Sequence, residues 1–287
     1  MNLTERRERF RTILSGNRCV HPGSVFDPLS ARAAEDVGFE VAMFAGSIAS
    51  GTVLGAPDLI VLTLSEFAEQ IHRICRASSI SLMVDADHGY GNALNVKRTV
   101  EELESAGVSC LTIEDTLLPL SFGAGGEGQL ISVEEGIGKM KAALSGRQDP
   151  SLVVAGRTSA LRNGGVAEAI KRVKAYQGAG VDAVFLAGAQ TRAELEEVHA
   201  AVNIPLLLGG AGGALDDLDF LGANGVRVAL QGHLPFQAAV KAAYDTLKAL
   251  RDGVSPADLS DNLASPELMG QLTRRDDYNR WVKEFLG

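Results

Sequence analysis

The amino-acid sequence predicts an α/β fold, a (β/α)8 TIM barrel with a C-terminal helical extension. Its 287 residues suit one such domain. A recurring pattern supports this fold: a helical segment ends at a glycine and an apolar run begins shortly afterwards, as happens at Gly38, Gly107, Gly180 and Gly225. The runs are apolar on both faces, which is what parallel strands covered by helices require.

Repetition of this unit along the chain predicts eight strands that alternate with eight helices. The strands are expected near residues 19–24, 41–45, 81–85, 110–114, 152–156, 183–187, 205–209 and 226–230. The helices are expected near residues 28–37, 65–77, 93–106, 133–145, 165–178, 191–201, 214–221 and 236–251. A doubly wound open sheet is the alternative, but it usually has fewer units, and residues 89–92 lack the full dinucleotide-binding fingerprint.

The barrel is predicted to occupy residues 1–253, and the helical extension to follow over residues 254–287. Trp281 and Phe285 in this extension are expected to pack against the barrel or against a neighbouring subunit. Two connections are longer than a barrel requires, at residues 46–64 and 115–132. The second is rich in glycine, a composition that suits a mobile lid.

Charge and composition exclude several classes of partner. The formal net charge of −9 argues against nucleic acid and anionic membranes, whereas a small anionic substrate is compatible with a local cation or arginine in a cleft. No apolar run has the length needed to span a bilayer, and the charged segment 5–9 is unlike a signal peptide, so a cytoplasmic protein is expected. The three cysteines are expected to be free thiols, without zinc-ligand spacing.

Three carboxylates are predicted to meet where the third and fourth strands end. Asp85 and Asp87 lie two positions apart, so their side chains point the same way, and Glu114 ends the adjacent strand. Carboxylates this close repel each other unless a cation or a shared proton lies between them. The pattern therefore favours Mg²⁺ or Mn²⁺, bound directly by one aspartate and through water by the other. The alternatives are solvated loop aspartates that cap a helix, and an ion pair for Glu114.

Other strand ends add Arg157, Ser47 and His233 to the same mouth of the barrel. Arg157 suits a substrate carboxylate or an enolate oxygen, or else neutralises the acidic cluster. Ser47 offers a hydroxyl to a carboxylate. His233 suits substrate binding or proton relay, but it also stands where a helix-capping residue would. The glycine run 209–213 resembles a phosphate grip, which the acidic mouth disfavours.

Three segments together resemble the isocitrate lyase and phosphoenolpyruvate mutase superfamily: DADHGYGN at residues 85–92, TIED at residues 112–115 and GRT at residues 156–158. The resemblance implies a barrel whose eighth helix is exchanged between subunits, and a homotetramer built as a dimer of dimers. It also implies an α-keto acid bound to Mg²⁺ and chemistry that passes through an enolate.

The resemblance also implies roles for individual residues. Asp85 would bind Mg²⁺ directly, with Asp87 and Glu114 supporting the ion through water. Asp58 matches the gating-loop aspartate of the superfamily and would act in catalysis. Arg157 and Ser47 would hold the substrate.

Within the superfamily, the lyases carry a cysteine motif on the loop after the fourth strand, and residues 118–126 contain no cysteine. The segments SVFDP at 24–28 and EDTLLP at 114–119, with the Gly232-His233 pair, most resemble the Mg²⁺-dependent oxaloacetate decarboxylases. This branch implies decarboxylation of oxaloacetate, a 2-keto dicarboxylate, with Arg157 and His233 contacting substrate. The glycine run 209–213 differs from the aromatic-bearing loop associated with that branch. His233 and bound water are both candidates for protonating the enolate.

The alternatives within enzymes are a phosphonopyruvate hydrolase or mutase, and a lyase that acts on another 2-keto or 2-hydroxy dicarboxylate. The alternative outside enzymes is a barrel that binds dicarboxylates in a metal-dependent way without turning them over.

Overall fold

The structure, a computed structural model, describes residues 2–120, 122–123 and 129–287. Eight parallel strands pair in chain order. They are β1 (Gly23–Ser24), β2 (Val41–Phe44), β3 (Ser81–Asp85), β4 (Cys110–Glu114), β5 (Val153–Thr158), β6 (Ala183–Leu186), β7 (Leu206–Leu208) and β8 (Val226–Ala229). Val20, just before β1, forms a parallel bridge with Val228 of β8 and closes the ring. The predicted barrel is confirmed.

Thirteen helices accompany the strands over the described residues. They are α1 (Leu3–Ser15), α2 (Pro28–Asp36), α3 (Gly46–Ala49), α4 (Leu64–Ala77), α5 (Ala93–Ala106), α6 (Val133–Gly146), α7 (Ala160–Asn163), α8 (Gly165–Ala179), α9 (Arg192–Ala200), α10 (Leu218–Ala223), α11 (Leu234–Arg251), α12 (Pro266–Leu272) and α13 (Arg275–Phe285). A π-helical turn occupies Ser50–Leu54, and 3-10 turns occupy Gly213–Leu215 and Pro256–Asn262.

Local sequence signals set the ends of the barrel helices. The side chains of Thr63 and Asn92 accept hydrogen bonds from the first turns of α4 and α5, and such caps stabilise a helix by about 1 kcal/mol each. Gly107 and Gly180 end α5 and α8 with φ of 106° and 101°, a left-handed conformation that glycine adopts without strain. The glycines in the repeated pattern of helix, glycine and strand therefore end the helices in the left-handed conformation that the sequence indicated.

The core lies inside the barrel and between the barrel and its helices. The consecutive strand residues Leu82, Met83 and Val84 are at most 1% exposed although successive side chains point to opposite faces of the sheet. This burial on both faces explains the continuous apolar runs in the sequence. Truncating such a side chain to alanine typically destabilises a protein by about 2–5 kcal/mol.

The structure differs from the predicted elements in the first strand and in the connection after the second. The strand predicted over residues 19–24 contains only Gly23–Ser24 as paired strand, because Pro22 before it has no N–H to donate to a neighbour. The long connection after β2 contains α3 and the π-helical turn. The predicted lid cannot be followed through the glycine-rich connection, because residues 121 and 124–128 lie outside the described residues.

The end of the barrel opposite the strand carboxyl ends is covered by α1. Arg7 of this helix is buried, and its guanidinium donates to Val108 O at 3.0 Å, to Glu104 O at 2.6 Å and to Asp149 Oδ2 at 2.7 Å. These bonds fix the N-terminal helix to the β3–β5 side of the barrel and leave the other end open for a site.

The eighth barrel helix, α11, buries none of its residues. Val240, Tyr244 and Leu247 on this helix are 52%, 68% and 68% exposed. The extension contacts the barrel at α2, where Arg274 donates to both carboxylate oxygens of Asp36 at 2.8 Å. Exchange of α11 between subunits, the tetramer and the domain boundary at residue 253 stay predictions. Among the described residues, no helix combines the length and the apolar character needed to cross a membrane.

Candidate active site

A cleft of about 1340 Å³ opens at the carboxyl ends of the strands. It is lined by six of the seven residues singled out in the sequence, namely Ser47, Asp58, Asp85, Glu114, Arg157 and His233. The seventh, Asp87, is not part of the lining, but its carboxylate lies against Gly46, next to Ser47. The strand ends bring these residues together although more than 180 positions separate Ser47 from His233 in the chain.

Arg157 is the centre of the acidic side of the cleft. It stands at the end of β5, where it pairs in register with Glu114 of β4. Its Nη1 donates to Asp85 Oδ2, and its Nε lies 3.1 Å from Glu114 Oε2. That Nε–H is buried and is not aligned for a hydrogen bond with any described residue. The guanidinium therefore neutralises two carboxylates at once.

The position of Asp85 is fixed by its own neighbours as well as by Arg157. Thr112 Oγ1 donates to Asp85 Oδ1 at 3.2 Å, and the backbone N–H of Asp87 donates to the same oxygen at 3.1 Å. The hydrogen bond from the Asp87 N–H accompanies a bend in the chain, where Asp87 has a φ of 48°, a value that is uncommon outside glycine. Asp85 is thereby held at the strand end with its carboxylate facing the cleft.

Asp87 carries a carboxylate without a partner. No hydrogen bond or ion pair reaches its side-chain oxygens from the described parts of the chain. The carboxylate packs against the backbone of Gly46, where an added Cβ would lie only 2.6 Å from Oδ1. Asn92, not Asp87, caps α5. The alternative that these aspartates serve as helix caps is therefore wrong.

Burial and mutual repulsion raise the pKa of Asp58, Asp87 and Glu114. Burial, followed by the charges of Asp85, Glu114 and Asp58, raises the pKa of Asp87 well above its usual range. Burial and Asp85 also raise the pKa of Glu114 to about 7, against the opposing effect of Arg157. Four carboxylates thus share one arginine, and a further positive charge would relieve the remaining repulsion.

The acidic cluster has few side chains placed to bind a metal ion directly. Within residues 2–120, 122–123 and 129–287, no three Asp, Glu, His or Cys side chains are arranged to hold a metal ion together. Mg²⁺ does not require such a set, because it usually keeps several waters and binds one or two carboxylates. The half-buried carboxylate of Asp87, which has no partner among the described residues, lies beside Asp85 and fits a cation held in that way. The assignment of Asp85, Asp87 and Glu114 as metal ligands stays a prediction.

Ser47 and Asp58 line the cleft from the connection after β2. Ser47 lies in α3, immediately after β2. Asp58 follows the π-helical turn, and burial together with the charge of Asp85 raises its pKa. Ile60, two residues later, has a φ of 58°, a strained conformation for a β-branched residue. The loop that carries Asp58 is thus bent toward the acidic cluster.

His233 closes the opposite side of the cleft. It occupies the position before α11, but its side chain makes no capping hydrogen bond. Its Nδ1 lies instead 2.8 Å from Ser24 Oγ at the end of β1. Burial lowers the pKa of His233, and the charge of Asp85 opposes this shift only in part. The structure thus contradicts the capping alternative for His233.

Two amides of the glycine run 209–213 are used within the barrel and are not free to bind a phosphate. The N–H of Gly209 donates to Leu186 O at 2.8 Å, and the N–H of Ala211 donates to Leu230 O at 2.8 Å. These amides complete the barrel, so the geometry argues against a phosphate grip here.

Sequence reasoning missed a buried network behind the acidic side. Asp115 is fully buried, and its Oδ2 accepts from Arg172 Nη1 at 3.0 Å and from Tyr176 Oη at 2.6 Å. Arg172 also donates to Glu168 Oε1 at 2.8 Å. Glu168 and Arg172 line the outer part of the cleft. No local pattern signals the link to Asp115, because this residue lies more than fifty positions from the helix that carries the other members.

Known proteins that resemble this chain share both its sequence and its fold. The family model described as phosphoenolpyruvate phosphomutase matches residues 10–251. A protein of Bradyrhizobium diazoefficiens named oxaloacetate decarboxylase is 54% identical over 287 residues, covering 100% of this chain and 99% of the relative. One of the same name from Rhodopseudomonas palustris is 53% identical, with 100% and 99% coverage.

Solved structures of related proteins have the same fold as this chain. A phosphoenolpyruvate phosphomutase from Streptomyces platensis subsp. rosaceus superposes with a TM-score of 0.86 at 27% identity, over 98% of this chain and 99% of that one. A phosphonopyruvate hydrolase in complex with oxalate and Mg²⁺ gives a TM-score of 0.85 at 28% identity, with the same coverage. The resemblance seen in the sequence motifs is confirmed, and the chain belongs to the phosphoenolpyruvate mutase and isocitrate lyase superfamily.

Proposed function

We propose that this protein is a metal-dependent oxaloacetate decarboxylase, which converts oxaloacetate to pyruvate and CO₂. One observation carries the proposal: a single cleft joins an undercompensated acidic cluster to Arg157 and His233, in a chain that is 54% identical over its whole length to a protein named oxaloacetate decarboxylase. The superfamily is generally dependent on a divalent metal, which agrees with the charge of the cluster.

Asp85 would hold Mg²⁺ directly, and Asp87 with Glu114 would support it through water. These hard oxygen donors suit Mg²⁺ and, equally, Mn²⁺. When bound, the ion supplies Lewis acidity to the 2-keto group of the substrate and to the developing enolate. The carboxylate of Asp87, which has no partner among the described residues, would add negative charge beside the ion.

Arg157 would stabilise the negative charge that develops on the enolate oxygen. Its guanidinium remains charged throughout, because Asp85 and Glu114 raise its pKa against the effect of burial. Arg157 lines the cleft, so its positive charge can act on that oxygen. Ser47, across the cleft, would hold a substrate carboxylate through its hydroxyl.

The reaction breaks the C3–C4 bond of oxaloacetate. The C4 carboxylate leaves as CO₂, the bonding electron pair forms the enolate of pyruvate, and a proton added at C3 completes pyruvate. Because burial lowers the pKa of His233, its ring is neutral near pH 7. A neutral imidazole is a weak acid, so His233 would contact the substrate and a water molecule would supply the proton.

Asp58 would act from the loop that closes the cleft. The proposed substrate is one small 2-keto dicarboxylate, and the protein is proposed to work in the cytoplasm without nucleic acid or membrane partners. A homotetramer, a dimer of dimers, would cover the apolar side chains that α11 leaves exposed in one chain.

The test follows oxaloacetate loss and pyruvate formation with purified protein, in Mg²⁺ and in EDTA. Asp85→Ala serves to subtract the decarboxylation that free metal catalyses, and Asp219→Ala, an exposed aspartate on α10, is the matched control. We expect fast turnover that requires metal, is lost in Asp85→Ala and is retained in Asp219→Ala.

Two results would contradict the proposal. Release of phosphate from phosphonopyruvate, without turnover of oxaloacetate above background, would identify a hydrolase. Mg²⁺-dependent binding of oxalate without turnover of oxaloacetate, phosphonopyruvate or substituted malates would identify a dicarboxylate-binding barrel.

A further inference from the structure

The contact between Ser24 and His233 joins the two strands at which the barrel closes. Ser24 ends β1, and His233 follows β8 by four residues. Ser24 Oγ lies 2.8 Å from His233 Nδ1. Because the ring uses Nδ1 for this contact, Nε2 is the nitrogen left for the cleft that His233 lines.

Two arrangements of protons fit this distance. Either the Ser24 hydroxyl donates to Nδ1, or a protonated Nδ1 donates to the hydroxyl oxygen. In the described part of the chain, the Ser24 hydroxyl has no other hydrogen-bond partner. The first arrangement satisfies both groups within the protein, whereas the second leaves the hydroxyl proton without a protein acceptor. The first is therefore favoured, and it places the ring proton on Nε2.

The expected occupant of the cleft favours the same tautomer. This step rests on the proposed function, in which the substrate is a dicarboxylate anion. An Nε2–H donates a hydrogen bond to such an anion, whereas an Nε2 lone pair would repel it. Lowering of the His233 pKa by burial keeps the ring neutral near pH 7, so that its tautomer matters.

We infer that Ser24 is a positioning residue that donates to His233 Nδ1 and thereby fixes the Nε2–H tautomer, which makes His233 a hydrogen-bond donor to the anionic substrate. In this state Nε2 has no lone pair to accept a proton, so His233 does not act as a general base.

The backbone of His233 is held independently of Ser24. Phe236, in the first turn of α11, packs on Phe26 with ring centroids 5.6 Å apart. The same ring lies against Gly51, where an added Cβ would be 3.0 Å from it. Removal of the Ser24 hydroxyl should therefore allow both tautomers of the His233 ring without displacing the helix that follows this residue.

The test is ¹⁵N NMR of the histidine ring nitrogens in the full-length protein, with His233→Gln identifying the His233 signals. Ser24→Ala removes the donor, Ser24→Thr retains a hydroxyl, and Ser15→Ala at the end of α1 is the control. We expect Nε2–H with an unprotonated Nδ1 in the wild type, Ser24→Thr and Ser15→Ala. In Ser24→Ala both tautomers should appear.

Binding of oxalate in Mg²⁺ gives a second readout. Loss of one oriented donor should weaken oxalate binding and raise the KM for oxaloacetate by about three- to tenfold in Ser24→Ala. A wild-type ring protonated on Nδ1 would overturn the inference, as would an unchanged tautomer in Ser24→Ala. Neither the NMR nor the oxalate measurement requires turnover. A wild-type protein that fails to decarboxylate oxaloacetate would therefore refute the proposed function and leave the tautomer assignment standing.

Discussion

Gly46→Ala tests whether the placement of Asp87 matters for metal binding. A Cβ at position 46 would lie 2.6 Å from Asp87 Oδ1 and 2.8 Å from Oδ2, and an ordinary contact begins at 3.4 Å. The carboxylate is the free end of a side chain, so it should swing away rather than force the backbone apart. The fold should therefore lose little stability, about 1 kcal/mol.

The displaced carboxylate should hold a metal ion less well. Disturbing a supporting group of a metal site typically weakens metal affinity by about 10- to 100-fold. We expect the Mg²⁺ concentration for half-maximal activity to rise at least about tenfold, equivalent to about 1.4 kcal/mol. The value of kcat at saturating Mg²⁺ should stay close to that of the wild type. A titration of oxaloacetate turnover against Mg²⁺ measures both quantities, and Mn²⁺ binding by calorimetry checks the affinity directly.

Gly178→Ala is the matched control, because an added Cβ on this α8 glycine meets nothing within 4 Å. It should leave the Mg²⁺ requirement unchanged. A folded Gly46→Ala protein with the Mg²⁺ requirement of the wild type would refute the reasoning that Asp87 supports the ion.

Three further outcomes are expected. Arg157→Lys should lower kcat/KM by at least about 100-fold in steady-state assays, because lysine lacks the fork that contacts two carboxylates. Tyr176→Phe should reduce the free energy of unfolding by about 1–3 kcal/mol in urea, since it removes a 2.6 Å bond to buried Asp115. Asp149→Asn should reduce the free energy of unfolding by about 1 kcal/mol at pH 7. Burial tends to raise the pKa of Asp149, but hydrogen bonds from Arg7, Ser151 and Thr4 lower it from 3.8 to about 2. The charged carboxylate therefore stabilises the fold fully above pH 3.8, and this contribution is lost as the pH falls through 2. Equal urea midpoints for wild type and Asp149→Asn at pH 7 would contradict the last expectation.

The barrel could be predicted because its signals are local. Each buried strand is an apolar run, and glycines such as Gly107 end the preceding helix with a positive φ. β1 was harder, since the apolar run before it is broken by Pro22 and only two of its residues pair with β2. The helical turns after β2 have no comparable signal, because α3 has four residues and the π-helical turn five, too few for a helical period to show.

The meeting of the candidate site residues in one cleft could be predicted because a barrel gathers its strand ends at one mouth. That rule places Asp85, Glu114 and Arg157 together without any knowledge of their side-chain contacts. It does not reveal that Arg157 contacts both carboxylates, or that Asp87 is left without a partner. The contact of Ser24 with His233 depends on ring orientation across the closure of the barrel. Such pairings are set by tertiary packing, which no local pattern encodes.

The uncovered helix α11 has a consequence for how activity should depend on protein concentration. His233 stands directly before this helix, none of whose residues is fully buried in its own barrel. If a second copy covers Val240, Tyr244 and Leu247, then association of the subunits also stabilises the position of His233 in the cleft. Specific activity should then fall when the enzyme is diluted below the concentration at which its subunits separate, and substrate or oxalate should restore it by mass action.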